Sequence, residues 1–358
     1  MTPNDMLTRI DTLETPVPIV DLTVVEHNLA KMQGYADAHG LCLRPHIKTH
    51  KLPMFAQRQL ALGAVGITCQ KLGEAEVMAD AGLDDILISF PLIGPIKAAR
   101  LAALARRVTT LRVVADSVAG LDTVAQAAGE AGRDIGVLIE FDSGNRRTGV
   151  TSVTEALELA QAARARGLRC DGLMTYPAGP EAAAFIAGVK TGAKAGGEFA
   201  IISAGGTPNA WRMHEIPGVT EMRVGTYIYN DCTMVGFGGA SLDECALHVH
   251  ATVVSRPTAT RGIIDAGSKT LSSDQLPPGL GVGYGLLLEY PDAIIERVNE
   301  EHGMLDLSAC ARRPEIGERV RIVPNHVCVV TNLHDEIVLA RGGVVDAIVS
   351  VAARGRTR

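Results

Sequence analysis

The chain has 358 residues, with 34 Lys and Arg against 40 Asp and Glu for a formal net charge of −6, and it is 47% apolar and 21% charged. That balance excludes intrinsic disorder, and the mild acidity excludes a general affinity for nucleic acid or an anionic membrane. The length suits two domains or one (β/α)8 barrel with an appendage, and no apolar run reaches the roughly 18 residues a membrane span needs.

From about residue 17 to residue 240, short β-rich runs each precede an Ala-rich helical one. The spacing predicts strands over 18–21, 41–45, 64–69, 86–89, 111–115, 136–141, 172–175 and 200–203. It predicts helices over 22–39, 51–62, 72–81, 96–106, 117–131, 153–166 and 182–194. Strict alternation with short connections means a parallel sheet, and about eight units suggest a closed barrel, with an open doubly wound sheet as the alternative. After residue 240 strand-like runs at 247–254, 261–265, 319–322, 337–340 and 344–351 are separated by Gly, Pro and Asp, with no long amphipathic helix. That texture predicts an antiparallel β domain. The expected fold is α/β: a (β/α)8 barrel over 17–240, then a β domain over 241–358 that residues 1–16 join. Residues 354–358 read as a frayed basic end. Seven cysteines (42, 69, 170, 232, 245, 310 and 328) contain no CxxC pair, and acids interrupt the first residues before a signal-peptide core. Both features predict a reduced, cytoplasmic protein.

The densest chemical cluster is Arg44-Pro45-His46-Ile47-Lys48-Thr49-His50-Lys51, at the end of the second strand, where barrel active sites are built. Cationic neighbours should disfavour the Lys48 ammonium, and a neutral amine is the nucleophile that forms Schiff bases. On an extended segment Arg44, His46 and Lys48 share one face. Composition alone also fits a solvated basic loop. Two later loops, Ser203-Ala204-Gly205-Gly206-Thr207 and Arg223-Val224-Gly225-Thr226-Tyr227, carry glycines whose backbone N–H groups can converge on a phosphate. Either loop alone also fits an ordinary turn. Asp142-Ser143-Gly144-Asn145-Arg146-Arg147 adds a strand-end acid and two arginines. In Pro324-Asn325-His326-Val327-Cys328, an extended chain would put imidazole and thiolate on one side, a pair suited to Zn²⁺ or a similar ion. A buried thiol beside a hydrogen-bonded His fits the same five residues.

In this order, these segments resemble the D-threonine aldolase and D-serine dehydratase group of pyridoxal-phosphate enzymes, within the alanine-racemase-like fold-type III class. The likeness runs from Thr15-Pro16 through the lysine cluster, Gln70, the Asp-x-Gly-x-x-Arg run, Tyr176, both glycine loops, Asp265-Ala266-Gly267 and Glu301-His302-Gly303 to the late His-x-Cys. The resemblance implies a cofactor-binding barrel, a C-terminal β domain and a homodimer. It implies that Lys48 carries pyridoxal 5′-phosphate, with His46 and Tyr176 as further catalytic residues. Gln70, Arg147 and Tyr176 would line the cofactor. Ser203, Gly205, Gly206, Thr207, Gly225 and Thr226 would hold its phosphate. Arg223 stands where alanine racemases set an arginine against the pyridine nitrogen, which weakens the electron sink. His326 and Cys328 match the group's metal ligands, here for Zn²⁺ or Mn²⁺ with Mg²⁺ as the harder alternative.

Some aldolases of the group carry His-x-Asp at that place and the dehydratases His-x-Cys, so Cys328 pulls toward dehydratase or toward an aldolase with a softer metal site. The expected reaction is retro-aldol cleavage of a small D-3-hydroxy amino acid to glycine and an aldehyde. The alternative is dehydration of D-serine or D-3-hydroxyaspartate to a 2-oxo acid and ammonia. A cofactor carrier with little turnover is disfavoured by the β domain and its His-x-Cys.

Overall fold

Runs of Ile, Leu and Val that are buried on both faces are what a parallel sheet covered by helices requires. The computed structural model describes residues 8–193 and 199–358. In chain order its first elements are β1 (Val17–Asp21), α1 (Leu22–Ala38), β2 (Cys42–Leu43), α2 (Pro53–Leu62), β3 (Ile67–Cys69), α3 (Leu72–Asp80), β4 (Asp85–Ile88) and α4 (Pro95–Ala105). There follow β5 (Thr110–Ala115), α5 (Val118–Ala131), β6 (Gly136–Phe141), α6 (Val153–Ala165), β7 (Arg169–Thr175), α7 (Pro180–Gly192), β8 (Ile201–Gly205) and β9 (Glu221–Arg223). Lys194, the last residue of one predicted helix, lies outside the described residues, as do residues 1–7.

The chain divides into two compact units. The first comprises Ala30–Lys48, Leu52–Gly225 and Gly355–Arg358. It contains one parallel sheet in the order β2-β9-β8-β7-β6-β5-β4-β3. A parallel bridge between His46 and Thr68 joins the two ends, with Ile47 N donating to Thr68 O at 2.9 Å and Thr68 N to Pro45 O at 2.8 Å. The eight strands therefore close into a barrel. Leu87, Val114, Leu138 and Met174, one from each of β4 to β7, form a buried layer with Ile201 packed against it. Each such side chain withdrawn from water contributes about 2 kcal/mol. The helices start where the sequence offers caps: Ser117 accepts from Gly120 N, and Ser152 with Glu155 forms a capping box on α6.

The second unit comprises the described residues up to Leu29, Thr49–Lys51 and Thr226–Arg354. Its strands are β1 with β10 (Leu247–Thr258), β11 (Arg261–Ile264), β12 (Leu286–Leu287), β13 (Ile294–Val298), β14 (Gly303–Asp306), β15 (Arg319–Val323), β16 (Glu336–Arg341) and β17 (Val344–Ser350). Three short helices, α8 (Cys232–Gly236), α9 (Ser268–Leu271) and α10 (Val327–Leu333), interrupt them. The sheet runs β13-β14-β11-β10-β1-β16-β17, with β15 also on β10 and β12 on β15. All its pairs are antiparallel except β1 with β16.

The eight strands predicted for the barrel and the eight observed differ by one exchange. The first predicted strand is β1, which pairs with β10 and β16 in the other sheet. Its place is taken by β9, which sits between β2 and β8. Alternation identifies element type, whereas the sheet that receives a strand is decided by partners more than 200 residues away. The end predicted to fray is tied down: Arg358 O accepts from Gly73 N at 2.9 Å and from Arg100 Nη2 at 3.2 Å. Gly73 permits this approach, since a Cβ there would lie 2.7 Å from that oxygen. Among the described residues no helix is long and apolar enough to cross a membrane.

Candidate active site

In the barrel unit, the predicted residues gather at the C-terminal ends of the strands. Lys48 follows the extension of β2, Gln70 follows β3, Tyr176 follows β7, and Gly205 and Arg223 end β8 and β9. Lys48 is half-buried, and its Nζ lies 5.8 Å from the centroid of the Tyr176 ring. The Arg147 guanidinium lies 4.9 Å from the same centroid. Two cations therefore share one aromatic ring.

His46 is buried and anchors the lysine's backbone. Its Nδ1 accepts from Lys48 N at 3.4 Å, which assigns the ring proton to Nε2. Nε2 then donates to Gln70 Oε1 at 3.0 Å, with Ser89 Oγ at 3.3 Å. Sequence reasoning placed Gln70 near the cofactor but missed that it orients His46, and it missed Ser89 altogether.

Arg44 does not join this group. Its guanidinium donates to Glu221 Oε2 at 2.7 Å and to Asp85 Oδ1 at 2.6 Å, on the first residues of β9 and β4. Of the cationic neighbours expected to act on Lys48, Arg44 is thus balanced by two carboxylates.

Arg223 is fully buried. Nη1 donates to Ser203 Oγ at 2.8 Å and Nη2 to the Thr175 carbonyl at 2.9 Å, while Ser203 donates to Glu221 Oε1 at 2.5 Å. Burial pulls the guanidinium down to about 10, against the pull of Glu221 and Glu140. The guanidinium lies directly under Gly205: a Cβ there would sit 3.0 Å from Arg223 Nη2 and 3.3 Å from Tyr176 Cδ2. Gly205 thus keeps a cradle open between the ring and the arginine. Gly206 has φ +121°, a backbone conformation that L side chains rarely adopt. The two glycine loops touch, since Gly225 N donates to Thr207 Oγ1 at 3.3 Å. Thr226 opens a short 3-10 helix in the other unit. An open glycine cradle, a strand-end lysine and converging cations fit an anionic, planar, aldehyde-bearing cofactor. Lys48, Arg147, Tyr176 and the loops at Gly205–Thr207 and Gly225 would hold it.

The second unit carries His326 and Cys328. The expectation of an extended His-x-Cys is half right. His326 is extended (φ −146°, ψ 102°), but Cys328 already lies in the first turn of α10. The side chains still meet. A hydrogen bond with Cys328 is the largest influence on His326; burial opposes it, and the charges of Asp231 and Asp274 add, pushing the imidazole up to about 9. His326 Nδ1 is 3.0 Å from Asp274 Oδ2, and Thr49 Oγ1 is 3.1 Å from Cys328 Sγ. Buried Asp231 accepts from Met234 N and Val327 N, which pins the start of α8 and of α10. Burial lifts its carboxyl to about 6. Neither acid stands in a motif, and no local signal could have found them. A carboxylate on one ring nitrogen, with a thiol near the other side chain atoms, is the surrounding that metal-binding histidines usually have. The donor set therefore fits a divalent cation that keeps water ligands. Among the described residues no group of three or more His, Cys, Asp and Glu could hold a metal alone.

The family described as "Alanine racemase, N-terminal domain" matches residues 20–232, and that described as "Putative serine dehydratase domain" matches residues 246–340. A D-threonine aldolase from an Arthrobacter species is 38% identical over 99% of this chain and 96% of its own length. A D-threo-3-hydroxyaspartate dehydratase from Delftia sp. HT23 is 34% identical over 88% of this chain and 91% of its own. The crystal structure of D-threonine aldolase from Filomicrobium marinum superposes with a TM-score of 0.88 at 33% identity, covering 98% of both chains.

Proposed function

The chain belongs to the alanine racemase N-terminal domain family, and on that premise we propose that it is a pyridoxal-phosphate-dependent lyase acting on D-3-hydroxy amino acids. The observation that carries this reading is the convergence of Lys48 and Arg147 on Tyr176, beside the open cradle at Gly205. Bound there, the cofactor supplies an electron sink for breaking a bond at the substrate's Cα.

The chain's own residues do the rest. Lys48 provides the amine for covalent attachment, and His46 holds the backbone from which that amine projects. Tyr176 offers a ring face to the cations and a hydroxyl to the site. The desolvated Arg223 forms a fixed positive floor, and Gly205, Gly206, Thr207 and Gly225 form the phosphate loops; Ser203, counted with them in the sequence, instead spends its hydroxyl on Arg223 and Glu221. The relatives named aldolase favour retro-aldol cleavage to glycine and an aldehyde. The second reading, dehydration to a 2-oxo acid and ammonia, is favoured by Cys328 and by the Delftia relative.

His326 and Cys328 would hold a divalent cation, Zn²⁺ or Mn²⁺ before Mg²⁺, whose chemistry there is polarisation of a hydroxyl. The cofactor residues lie within 17–240 and the cation ligands within 241–358. The reading includes a homodimer in the cytoplasm, the latter supported by seven cysteines without a CxxC pair.

The deciding assay incubates the purified protein with D-threonine and D-serine and measures aldehyde plus glycine against 2-oxo acid plus ammonia. Borohydride reduction and peptide mapping should label Lys48. A label on Lys51 or Lys71, or neither product pair, overturns the reading.

A further inference from the structure

Glu140 is a carboxyl in a place that does not favour one. It lies on β6, two residues after Leu138, so the strand's alternation turns both side chains to the same face, the barrel interior. It is 3% exposed. Oε1 accepts from Thr148 Oγ1 at 2.8 Å, whereas Oε2 is buried without a hydrogen-bond partner among the described residues. Leaving a buried acceptor unmet costs about 1–3 kcal/mol, and more if it is charged. Among the described residues Arg147, next to Thr148, makes its contact with the Tyr176 ring and no hydrogen bond. A carboxyl with one unpartnered oxygen and a guanidinium held by a ring face thus stand within electrostatic reach, linked through adjacent residues.

We propose that Glu140 is a positioning residue for Arg147: it fixes the loop through Thr148 and keeps its second oxygen as the docking point for the Arg147 guanidinium, so that Arg147 stays over Tyr176 against the cofactor. This rests on the cofactor reading given above.

The surroundings support it. The loop is tied at both ends, with Asp142 N donating to Val150 O at 3.0 Å and Val150 N to Glu140 O at 2.9 Å. Asp142 Oδ1 accepts from Gly144 N at 2.9 Å, and Asp116 Oδ2 accepts from Gly149 N at 3.1 Å. Arg147 therefore projects from a fixed turn, and only its guanidinium end is left to be placed. Of the two cations acting on Glu140, Arg223 already donates to Ser203 and Thr175, which leaves Arg147 as the one to dock. Burial is the largest influence on the Glu140 carboxyl and raises it; Thr148, Arg223 and Arg147 pull it down, and Asp116 opposes them.

The test is a double-mutant cycle on cofactor affinity, measured by titrating apoprotein with pyridoxal phosphate. Glu140→Gln keeps the shape and the Thr148 acceptor but removes the charge. We expect it to weaken cofactor binding roughly tenfold and to move the pH midpoint of the bound cofactor's visible band. Arg147→Ala should do the same, and Glu140→Gln should add nothing in the Arg147→Ala background. Glu140→Gln by itself should leave the Tm of the apoprotein close to wild type, because it keeps the Thr148 acceptor and alters only an oxygen that makes no hydrogen bond. Thr148→Val, which cuts only the link to the loop, should reproduce the affinity loss. Additive losses in the cycle, or a lower Tm with unchanged affinity and spectrum, overturn the inference. Borohydride labelling separates the two claims. If wild-type Lys48 is unlabelled the cofactor reading falls and takes this inference with it; if Lys48 is labelled and Glu140→Gln behaves as wild type, only this inference falls.

Discussion

Two histidines on β10 should make the protein acid-labile well above the range where carboxylates titrate. His248 and His250 are spaced i, i+2 and share one face of the strand, opposite Ile19 and Val17 of β1, with Arg321 opposite His250 on β15. Ile19 belongs to an apolar cluster with Val338 and Ala340. Burial is the main cause that pulls each imidazole down to about 4; Arg321 adds for His248, and His248, Arg319 and Arg321 add for His250. His248 Nε2 is buried with no hydrogen-bond partner among the described residues. A base held neutral by the fold binds its proton more readily once unfolded. The stability it contributes is whole above the unfolded value of about 6.5 and drains away as pH falls toward 4. At pH 5 each histidine costs about 1.36 × 1.5, or about 2 kcal/mol, relative to pH 7, and the pair costs about 4 kcal/mol. Against a usual stability of about 5–15 kcal/mol this is a large fraction. The measurement is Tm or urea midpoint against pH from 7.5 to 4.5, for wild type and for the double variant His248→Gln with His250→Gln. Wild type should fall steeply below pH 6.5, and the variant should run flatter over that window. Parallel curves for the two proteins would refute the argument and shift the acid lability to the carboxylates.

Gly206→Ala should weaken pyridoxal phosphate by about tenfold, the effect of roughly 1–3 kcal/mol of backbone strain at φ +121°, because a Cβ there otherwise meets nothing nearer than 3.7 Å. Unchanged affinity on titration of the apoprotein would place the phosphate elsewhere. Stripping the protein with chelator should abolish turnover while the visible absorbance of the bound cofactor persists. Added Zn²⁺ or Mn²⁺ should restore wild type but not Cys328→Ala. Full activity after verified metal removal would leave Cys328 an ordinary buried thiol.

The parts of this protein that could be read from its sequence are those whose cause is local. Alternating apolar runs and Ala-rich stretches specify strands and helices within a few residues, and the order of lysine cluster, arginine run, tyrosine and glycine loops survives translation into strand ends. The parts that could not be read depend on a distant partner. Val327-Cys328-Val329-Val330-Thr331 is rich in β-branched residues, which favour strand, yet it forms α10. The reason lies 96 residues earlier: Asp231 accepts from Val327 N and satisfies a donor that the start of a helix leaves open. Glu140 is hidden in the same way, one acid in the apolar run Gly136–Phe141, and it acquires meaning only when Thr148 and Arg147 return over it. Glu221, at the start of a three-residue strand, is silent until Arg44, just after β2, and Ser203 of β8 reach it. Each of these acids sits in the interior, where a lone charge is costly, so each has to be repaid by groups from elsewhere in the chain. Of the three only Glu140 stands out in the sequence, as a single acid within an apolar run, while Asp231 and Glu221 stand among polar neighbours that hide them.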